Sequence, residues 1–240
     1  MRTVIVTGSS RGIGKSIALA LGREGYNVVV NYVSNKELAE EVVAEIRSAG
    51  SKSIAVKADV SIREEVIHLF EATVLEYGKI DVLINNGGIM ITKLIKDATE
   101  EDYYRLFDIN VKGTFFALQE AVTKLADNGI IINFSTSTVK LMLPSYGLYS
   151  ASKAAVEQMT RVFAKEVGRG ISVNVVSPGP TSTDLFLNGK SDEQVQRLAG
   201  MNAFNRIAEP QDIANLVVFL ASEKSKWITG QVIAANGGMI

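Results

Sequence analysis

A tyrosine and a lysine four residues apart, Tyr149 and Lys153, stand at the head of a segment with helical periodicity. Positions i and i+4 share one face of a helix, so the phenol and the ammonium can meet. A phenol with its ordinary pKa of about 10 is a poor proton donor or acceptor at neutral pH. A neighbouring ammonium favours the phenolate and is expected to draw that pKa toward the working range, which makes the pair a candidate for acid–base chemistry. The same spacing recurs at Tyr32 and Lys36, where it is read as coincidence. The later pair is set apart by its company. Just upstream, the apolar run Ile130–Phe134 ends in Ser135, Thr136, Ser137 and Thr138. A hydroxyl at the end of a buried strand can donate to a carbonyl oxygen, although clustered Ser and Thr also make ordinary polar turns.

A second constellation lies near the amino terminus. Val4–Val6 runs into Thr7-Gly8-Ser9-Ser10-Arg11-Gly12-Ile13-Gly14, and helical periodicity follows. Glycines let backbone approach a phosphate closely, and the helix start offers free N–H groups and a positive dipole to it. The spacing is G-x3-G-x-G rather than the common G-x-G-x-x-G. Directly after a first strand it reads as a dinucleotide turn, although a tight strand-to-helix turn alone needs no ligand. NAD sites usually carry an acid about 20 residues past the glycines. Here the second apolar run ends Val30-Asn31-Tyr32, and the next acid after Glu24 is Glu37. An uncharged Asn31 does not repel a 2′-phosphate, and Arg11 could pair with one. These residues favour NADP(H), with NAD(H) as the alternative. Without a phosphate, Arg11 is a solvated surface charge.

These residues need a scaffold, and the hydrophobic pattern supplies one. Short apolar runs, Val4–Val6, Val28–Val30, Ser53–Val56, Asp81–Ile84, Ile130–Phe134, Ser172–Val176 and Gln231–Ala234, alternate with helix-period segments. Those segments are Gly14–Glu24, Glu37–Ala49, Glu64–Tyr77, Asp102–Ala126, Ser150–Val167 and Gln211–Ala221. Continuous rather than alternating apolar runs suit strands buried on both faces. The pattern predicts an α/β fold, a Rossmann-type doubly wound sheet of seven mostly parallel strands with helices on both faces. Residues 1–240 read as one dinucleotide-binding and catalytic domain, with a substrate-covering insertion near 180–209.

Composition narrows the chemistry. The chain has 240 residues, no cysteine and one histidine, His68, so thiolate metal sites, disulfides and cysteine nucleophiles are excluded and no metal is expected. His68 lies far from the motifs and is read as a surface or half-buried residue rather than a catalytic one. Lys plus Arg number 25 against 26 Asp plus Glu, a balance that does not point to nucleic acid or an anionic membrane as a partner. No apolar run has the length of a membrane span, and the amino terminus lacks the apolar core of a signal peptide, so a cytoplasmic protein is expected.

The motifs, taken in order, resemble the short-chain dehydrogenase/reductase family across essentially the whole chain. They are Thr7-Gly8-x3-Gly12-Ile13-Gly14, Asn85-Asn86-Gly87-Gly88, Asn110, the hydroxyls near 136, Tyr149-x3-Lys153, Pro178-Gly179, Ile228-Thr229-Gly230-Gln231 and Asn236-Gly237-Gly238. The chain looks most like the bacterial branch with 3-oxoacyl-[acyl-carrier-protein] reductases and glucose dehydrogenases. The resemblance implies Tyr149 as acid/base, Lys153 as the residue that lowers its pKa and binds the nicotinamide ribose, and Asn110 as holder of a relay water. The family's catalytic serine falls on Thr136, whose methyl group restricts rotamers. Ser135 and Ser137 would point to the opposite face of a strand, with Ser137 the fallback if the chain bulges. The resemblance also implies cofactor contacts from Gly8, Ser10, Arg11, Gly12, Ile13, Gly14 and Asn31. Asp59 and Val60 would meet the adenine, Asn86 and Gly87 lie beside the cofactor, and Pro178, Gly179, Thr181 and Thr183 would meet the carboxamide. Asp59 and Thr183 could equally serve as helix caps. Gly87 replaces the family's usual alanine, and Asn236 an aspartate common in the family.

The activity implied is reduction of a ketone or 3-oxoacyl carbonyl by hydride transfer. An NAD-dependent sugar, polyol or secondary-alcohol dehydrogenase is the alternative, and a non-catalytic cofactor-binding sensor a remoter one. The expected substrate walls, Leu141–Leu148 and Leu185–Phe204, are apolar and suit an acyl, aliphatic or aromatic ketone. Acyl carrier protein is a candidate partner, with Arg169 as a basic contact beside the entrance, although the Asp127-Asn128 turn is less basic than such partners favour. The family further implies a homotetramer or homodimer packed through the helices near 102–126 and 150–167.

Overall fold

Seven valine- and isoleucine-rich runs lie side by side as β1 (Thr3–Val6), β2 (Asn27–Tyr32), β3 (Ser53–Lys57), β4 (Ile80–Asn85), β5 (Leu125–Phe134), β6 (Ser172–Pro178) and β7 (Val232–Ala235). In the computed structural model, which describes residues 1–240, their order is β3-β2-β1-β4-β5-β6-β7. Every pairing is parallel. Between them run α1 (Gly12–Arg23), α2 (Lys36–Ser48), α3 (Arg63–Tyr77), α4 (Glu100–Phe107), α5 (Gly113–Lys124), α6 (Thr138–Leu141) and α7 (Gly147–Glu166). After β6 come α8 (Asp184–Leu187), α9 (Asp192–Ala199) and α10 (Pro210–Leu220).

Strand side chains alternate between two apolar layers, as a period of two demands. Val4, Val6, Val28, Val30, Val82, Ile84, Ile130 and Ile132 pack with Ile17 and Leu21 of α1, Val42 and Ile46 of α2, and Ile213 and Val217 of α10. Ile5, Val29, Leu83 and Ile131 face the other way, against Val66, Leu69 and Phe70 of α3 and Ala117, Leu118 and Ala121 of α5. Apolar runs without alternation were the sign of this double burial. The chain winds outward from β1 to β3, then returns to start β4 on the other side of β1. The crevice at the carboxyl ends of β1 and β4 is where such sheets bind ligands.

Three elements differ from the sequence reading. The single helix expected over Asp102–Ala126 is α4 and α5 joined by one wide π-helical turn, Asp108–Lys112. Its end is also earlier, because Leu125 already pairs with Ile80 in the sheet. Helix α7 begins at Gly147, three residues before the expected Ser150. The stretch after β6 carries two short helices, α8 and α9, and a bridge from Thr181 to Ala208 draws its two ends together. No helix is long and apolar enough to cross a membrane.

Candidate active site

The glycine turn is built by close approach. Gly8 and Gly12 hold φ of +61° and +57°, a region that favours glycine. A Cβ on Gly14 would lie 2.4 Å from the Gly8 carbonyl oxygen and 2.5 Å from Asn86 Nδ2. Asn86 explains this tightness: its amide donates to the carbonyls of Thr7 and Gly8 at 2.9 and 3.1 Å, stitching the end of β4 to the turn. The Gly87 N–H donates to Thr7 Oγ1 at 2.9 Å and adds a second stitch. The N–H groups of Gly12, Ile13 and Gly14, at the start of α1, find no acceptor within the protein. Arg11, the residue before α1, offers no side-chain cap, and its exposed guanidinium makes no hydrogen bond or ion pair. Free N–H groups, glycines that admit close contact and a loose cation fit a dinucleotide phosphate. Ser10, partly exposed, sits on the same turn.

Asn31 corrects one expectation. Its side chain is buried, accepting from the Gly8 N–H at 3.0 Å and donating to the carbonyls of Ala58 at 2.9 Å and Val56 at 3.3 Å. It is a strut that ties the turn to β2 and β3 rather than a side chain facing a ligand. Its lack of charge still leaves no acid at the end of β2. Asp59 closes the turn ahead of α3 rather than capping the helix: its Oδ1 accepts from both the N–H and the hydroxyl of Ser61 at 2.9 and 2.7 Å, and the residue before α3, Ile62, has no side-chain cap. The buried Val60 packs on Gly113, where a Cβ would come within 2.8 Å of Val60 Cγ2.

Helix α7 carries the acid–base pair on its buried face, with Tyr149 and Lys153 8% and 5% exposed. Lys153 Nζ donates to the Phe134 carbonyl at 2.9 Å, so the ammonium is anchored to the end of β5. Burial brings its pKa down to about 8. Burial also pushes Tyr149 up to about 12, with the Thr136 hydroxyl drawing it down and Tyr146 pushing it up. Lys153 is not among the groups that shift Tyr149, so the expected lowering by the ammonium is absent here and removal of the phenolate from water sets the direction.

The hydroxyls after β5 divide as strand alternation predicts. Ser135 Oγ turns to Glu157 Oε1 at 2.7 Å, and Ser137 Oγ accepts from Asn236 Nδ2 at 3.2 Å. Thr136 Oγ1 lies toward Tyr149 and accepts from Thr138 Oγ1 at 3.3 Å. Asn110 sits on the π-turn and is fully buried. Its amide accepts from Ile89 N–H at 2.9 Å and donates to the Ile89 carbonyl at 3.0 Å and to Ser152 Oγ at 3.1 Å. Gly88 makes room for the group, since a Cβ there would lie 3.0 Å from Asn110 Oδ1 and 3.3 Å from Lys153 Nζ.

One cleft gathers these groups, reaching from Ile13 and Asn86 past Thr136, Tyr149 and Lys153 to Pro178, Gly179, Thr181 and Thr183. Thr183 caps α8 by accepting from the Phe186 N–H at 3.3 Å, and its methyl lies 3.4 Å from where a Gly12 Cβ would be. Leu141, Leu143, Tyr146, Leu185 and Phe186 line the apolar wall as expected. Met142, Leu187, Met201 and Phe204 do not; they are 82%, 38%, 38% and 71% exposed. Leu198, from the expected second stretch, and Ile89 and Met90, from outside both stretches, complete the wall. Ile89 and Met90 directly follow Asn85-Asn86-Gly87-Gly88, a position that could have signalled them. Arg169 is not at the entrance. It holds Asp127 and the carbonyls of Val122 and Leu125, at the amino ends of β5 and β6, the end of the strands opposite the cleft. His68 is exposed on α3.

Reversed winding at β1 and β4, a phosphate-ready glycine turn and a buried tyrosine–lysine pair in one cleft define a Rossmann-type oxidoreductase. The chain belongs to the short-chain dehydrogenase/reductase family and is an NAD(P)-dependent dehydrogenase/reductase. The family described as Enoyl-(Acyl carrier protein) reductase matches residues 8–240. A short-chain type dehydrogenase/reductase of Picea abies is 40% identical over 250 residues, covering 100% of this chain and 92% of that protein. The crystal structure of the angucycline C-6 ketoreductase LanV with bound NADP superposes with a TM-score of 0.94 at 37% identity, covering 99% of this chain and 95% of that one. A blue fluorescent protein from a metagenomic library, in complex with NADPH, gives a TM-score of 0.94 at 35% identity, covering 99% and 97%.

Proposed function

We propose that this protein is an NADP(H)-dependent ketoreductase that converts an apolar ketone to an alcohol, with Tyr149 as general acid. The observation that carries the reading is the buried Tyr149 beside Thr136, with Lys153 one turn further along α7, in a cleft walled by aliphatic and aromatic side chains. Arg11 beside the glycine turn, with no acid at the end of β2, supports NADP(H) over NAD(H). Solved relatives with bound NADP and NADPH point the same way.

Gly12, Ile13 and Gly14 would hold the phosphates through backbone N–H groups, with Arg11 for the 2′-phosphate. Asp59, Thr181 and Thr183 would border the adenine and nicotinamide ends. Bound there, NADPH supplies a hydride to the carbonyl carbon. Thr136 and Tyr149 hydrogen-bond the carbonyl oxygen and fix its orientation. Tyr149 passes its phenolic proton to that oxygen, so alkoxide charge does not build up. Lys153, with Asn110 and water, returns a proton to the phenolate. Ile89, Met90, Leu143, Leu185 and Phe186 keep bulk water from the reacting oxygen, and the 180–209 segment, which carries α8 and α9, acts as the cover. The cleft has no charged side chain except Lys153, so a neutral ketone fits better than a phosphorylated sugar. A carrier-bound 3-oxoacyl chain fits the wall, but Arg169 no longer supports a carrier at its mouth. Outward Phe115, Val122 and Val162 on α5 and α7 suit contacts between copies of the chain, which gel filtration with light scattering tests.

The test is cofactor oxidation over a panel of aliphatic, aromatic and 3-oxoacyl ketones, with NADPH and NADH in parallel. Turnover with NADPH preferred by about tenfold is expected, as loss of a charge-assisted bond predicts. Tyr149→Phe should lose turnover and still bind NADPH. Strong NAD+ preference with sugar or polyol oxidation, or no turnover with any ketone, would overturn the proposal.

A further inference from the structure

The buried face of α7 is polar from end to end: Tyr149, Ser152, Lys153, Glu157 and Thr160, with Val156 as the apolar exception. Each polar group meets a partner in a fixed order. Ser152 Oγ accepts from Asn110 Nδ2 at 3.1 Å, and Lys153 Nζ reaches the Phe134 carbonyl at 2.9 Å. Ser135 Oγ donates to Glu157 Oε1 at 2.7 Å, and Asn133 Nδ2 donates to Thr160 Oγ1 at 2.8 Å. Asn133 in turn accepts from Asn85 Nδ2 at 2.8 Å, which extends the row to β4. Between Tyr149 and Thr160 the helix is thus tied to residues 133–135 at the end of β5 and just beyond it, and to Asn110 on the π-turn.

Glu157 is the member of this row that the mechanism leaves unexplained. It is 5% exposed, and a carboxylate at that depth is costly unless both oxygens are satisfied. Both are: Oε1 takes Ser135, and Oε2 takes Arg161, one turn further along α7, at 3.2 Å. The Ser135 hydroxyl is thereby committed toward the helix. Extended backbone then sends the next side chain, Thr136, to the other side, where its hydroxyl lies beside Tyr149.

We propose that Glu157 is a positioning residue: by holding Ser135 Oγ it fixes the end of β5 so that Thr136 presents its hydroxyl next to Tyr149. This rests on the roles given above to Thr136 and Tyr149. It assigns the otherwise silent Ser135 a function through another residue, and it makes the Glu157 oxygen, rather than its charge, the element that matters.

Ser135→Ala, Glu157→Ala, the Ser135→Ala/Glu157→Ala double variant, Glu157→Gln and Tyr149→Phe test it in the full-length protein. The readouts are kcat and KM on the best ketone of the panel, NADPH binding by fluorescence, and melting temperature. Ser135→Ala should lower kcat about tenfold with NADPH affinity unchanged, a loss within the hundredfold that a misplacement of about 1 Å can cause. Glu157→Ala should do the same to kcat, and the double variant should lower kcat no further than either, because both break the same Ser135–Glu157 bond. Glu157→Gln keeps an oxygen for Ser135 and should return kcat to within about threefold. Wild-type kcat in Ser135→Ala, or Glu157→Gln as slow as Glu157→Ala, overturns the proposal. If Glu157→Ala does not fold, Ser135→Ala, which removes one oxygen, decides alone. Inactive Tyr149→Phe with unaffected Ser135→Ala refutes the positioning role only, whereas active Tyr149→Phe refutes the site itself.

Discussion

Helices α1 and α7 both run from a strand's carboxyl end, and both frame the cleft, yet they are seated by opposite means. The buried face of α1 is Gly14, Ile17, Ala18, Ala20, Leu21 and Gly22, none with a side chain that can hydrogen-bond. It is placed by contact: a Cβ on Gly22 would lie 2.9 Å from Ile46 Cγ2, and one on Gly14 would strike backbone. The buried face of α7 is placed by directed bonds to β5 and to the π-turn. The difference follows from what each must hold. Phosphates are recognised by backbone N–H groups, which need missing atoms around them. Proton transfer needs particular oxygens and nitrogens at fixed positions, which apolar packing cannot aim. One half should thus suffer from atoms added, the other from atoms removed.

The largest effect should come from the second half. Thr136→Val keeps the shape and deletes the hydroxyl, and kcat should fall about 10²- to 10³-fold with NADPH affinity unchanged in a binding titration. An unchanged kcat would move the donor role to another group. Gly14→Ala adds one carbon where 2.4 Å is available, and NADPH affinity should fall roughly 10- to 100-fold as the turn shifts. Wild-type affinity in that variant would break the contrast between the halves. Arg11→Ala sharpens it, with NADPH affinity reduced about tenfold and NADH affinity untouched in parallel titrations. The smallest effect on turnover belongs to Asn31→Ala. It leaves the Gly8 N–H without its acceptor, so urea unfolding should register a loss of about 1–3 kcal/mol, while NADPH turnover at 25 °C stays near wild type.

Much of this was legible in the sequence, and the boundary has a physical basis. Strands buried on both faces announce themselves as unbroken apolar runs, so six were readable to within two residues, while only the second half of β5 was, its start at Leu125 having been read as helix. That Tyr149 and Lys153 share a buried helix face was readable because helical periodicity fixes it, whereas Thr136 was singled out by the family resemblance, strand alternation only setting it apart from Ser135 and Ser137. Asn31 was misread because its partners, Gly8, Val56 and Ala58, come from other strands, and no local pattern encodes that register. The order of pKa influences on Tyr149 was hidden for the same reason: burial is a property of the assembled cleft. Met142 and Phe204 were placed in the wall on apolar character alone, although single exposed apolar residues are normal on protein surfaces. Arg169 failed through topology, being near the site in no dimension but chain order.

The π-turn Asp108–Lys112 is five residues long. An α-helix rotates about 100° per residue, and a π-turn absorbs one residue more than a regular winding would. Leu106 before it and Ala117, Leu118 and Ala121 after it all face inward, with Asn110 between them. Removing a single residue here would let the winding close up as an ordinary α-helix, with the two flanks still in phase but without the wide turn that carries Asn110. The partly exposed Asp108 and Lys112 have room to change identity, whereas losing a residue would cost the buried amide its place. The extra residue works like a blister on a rod: the apolar stripes run on unbroken at either side while one polar side chain is let in between them.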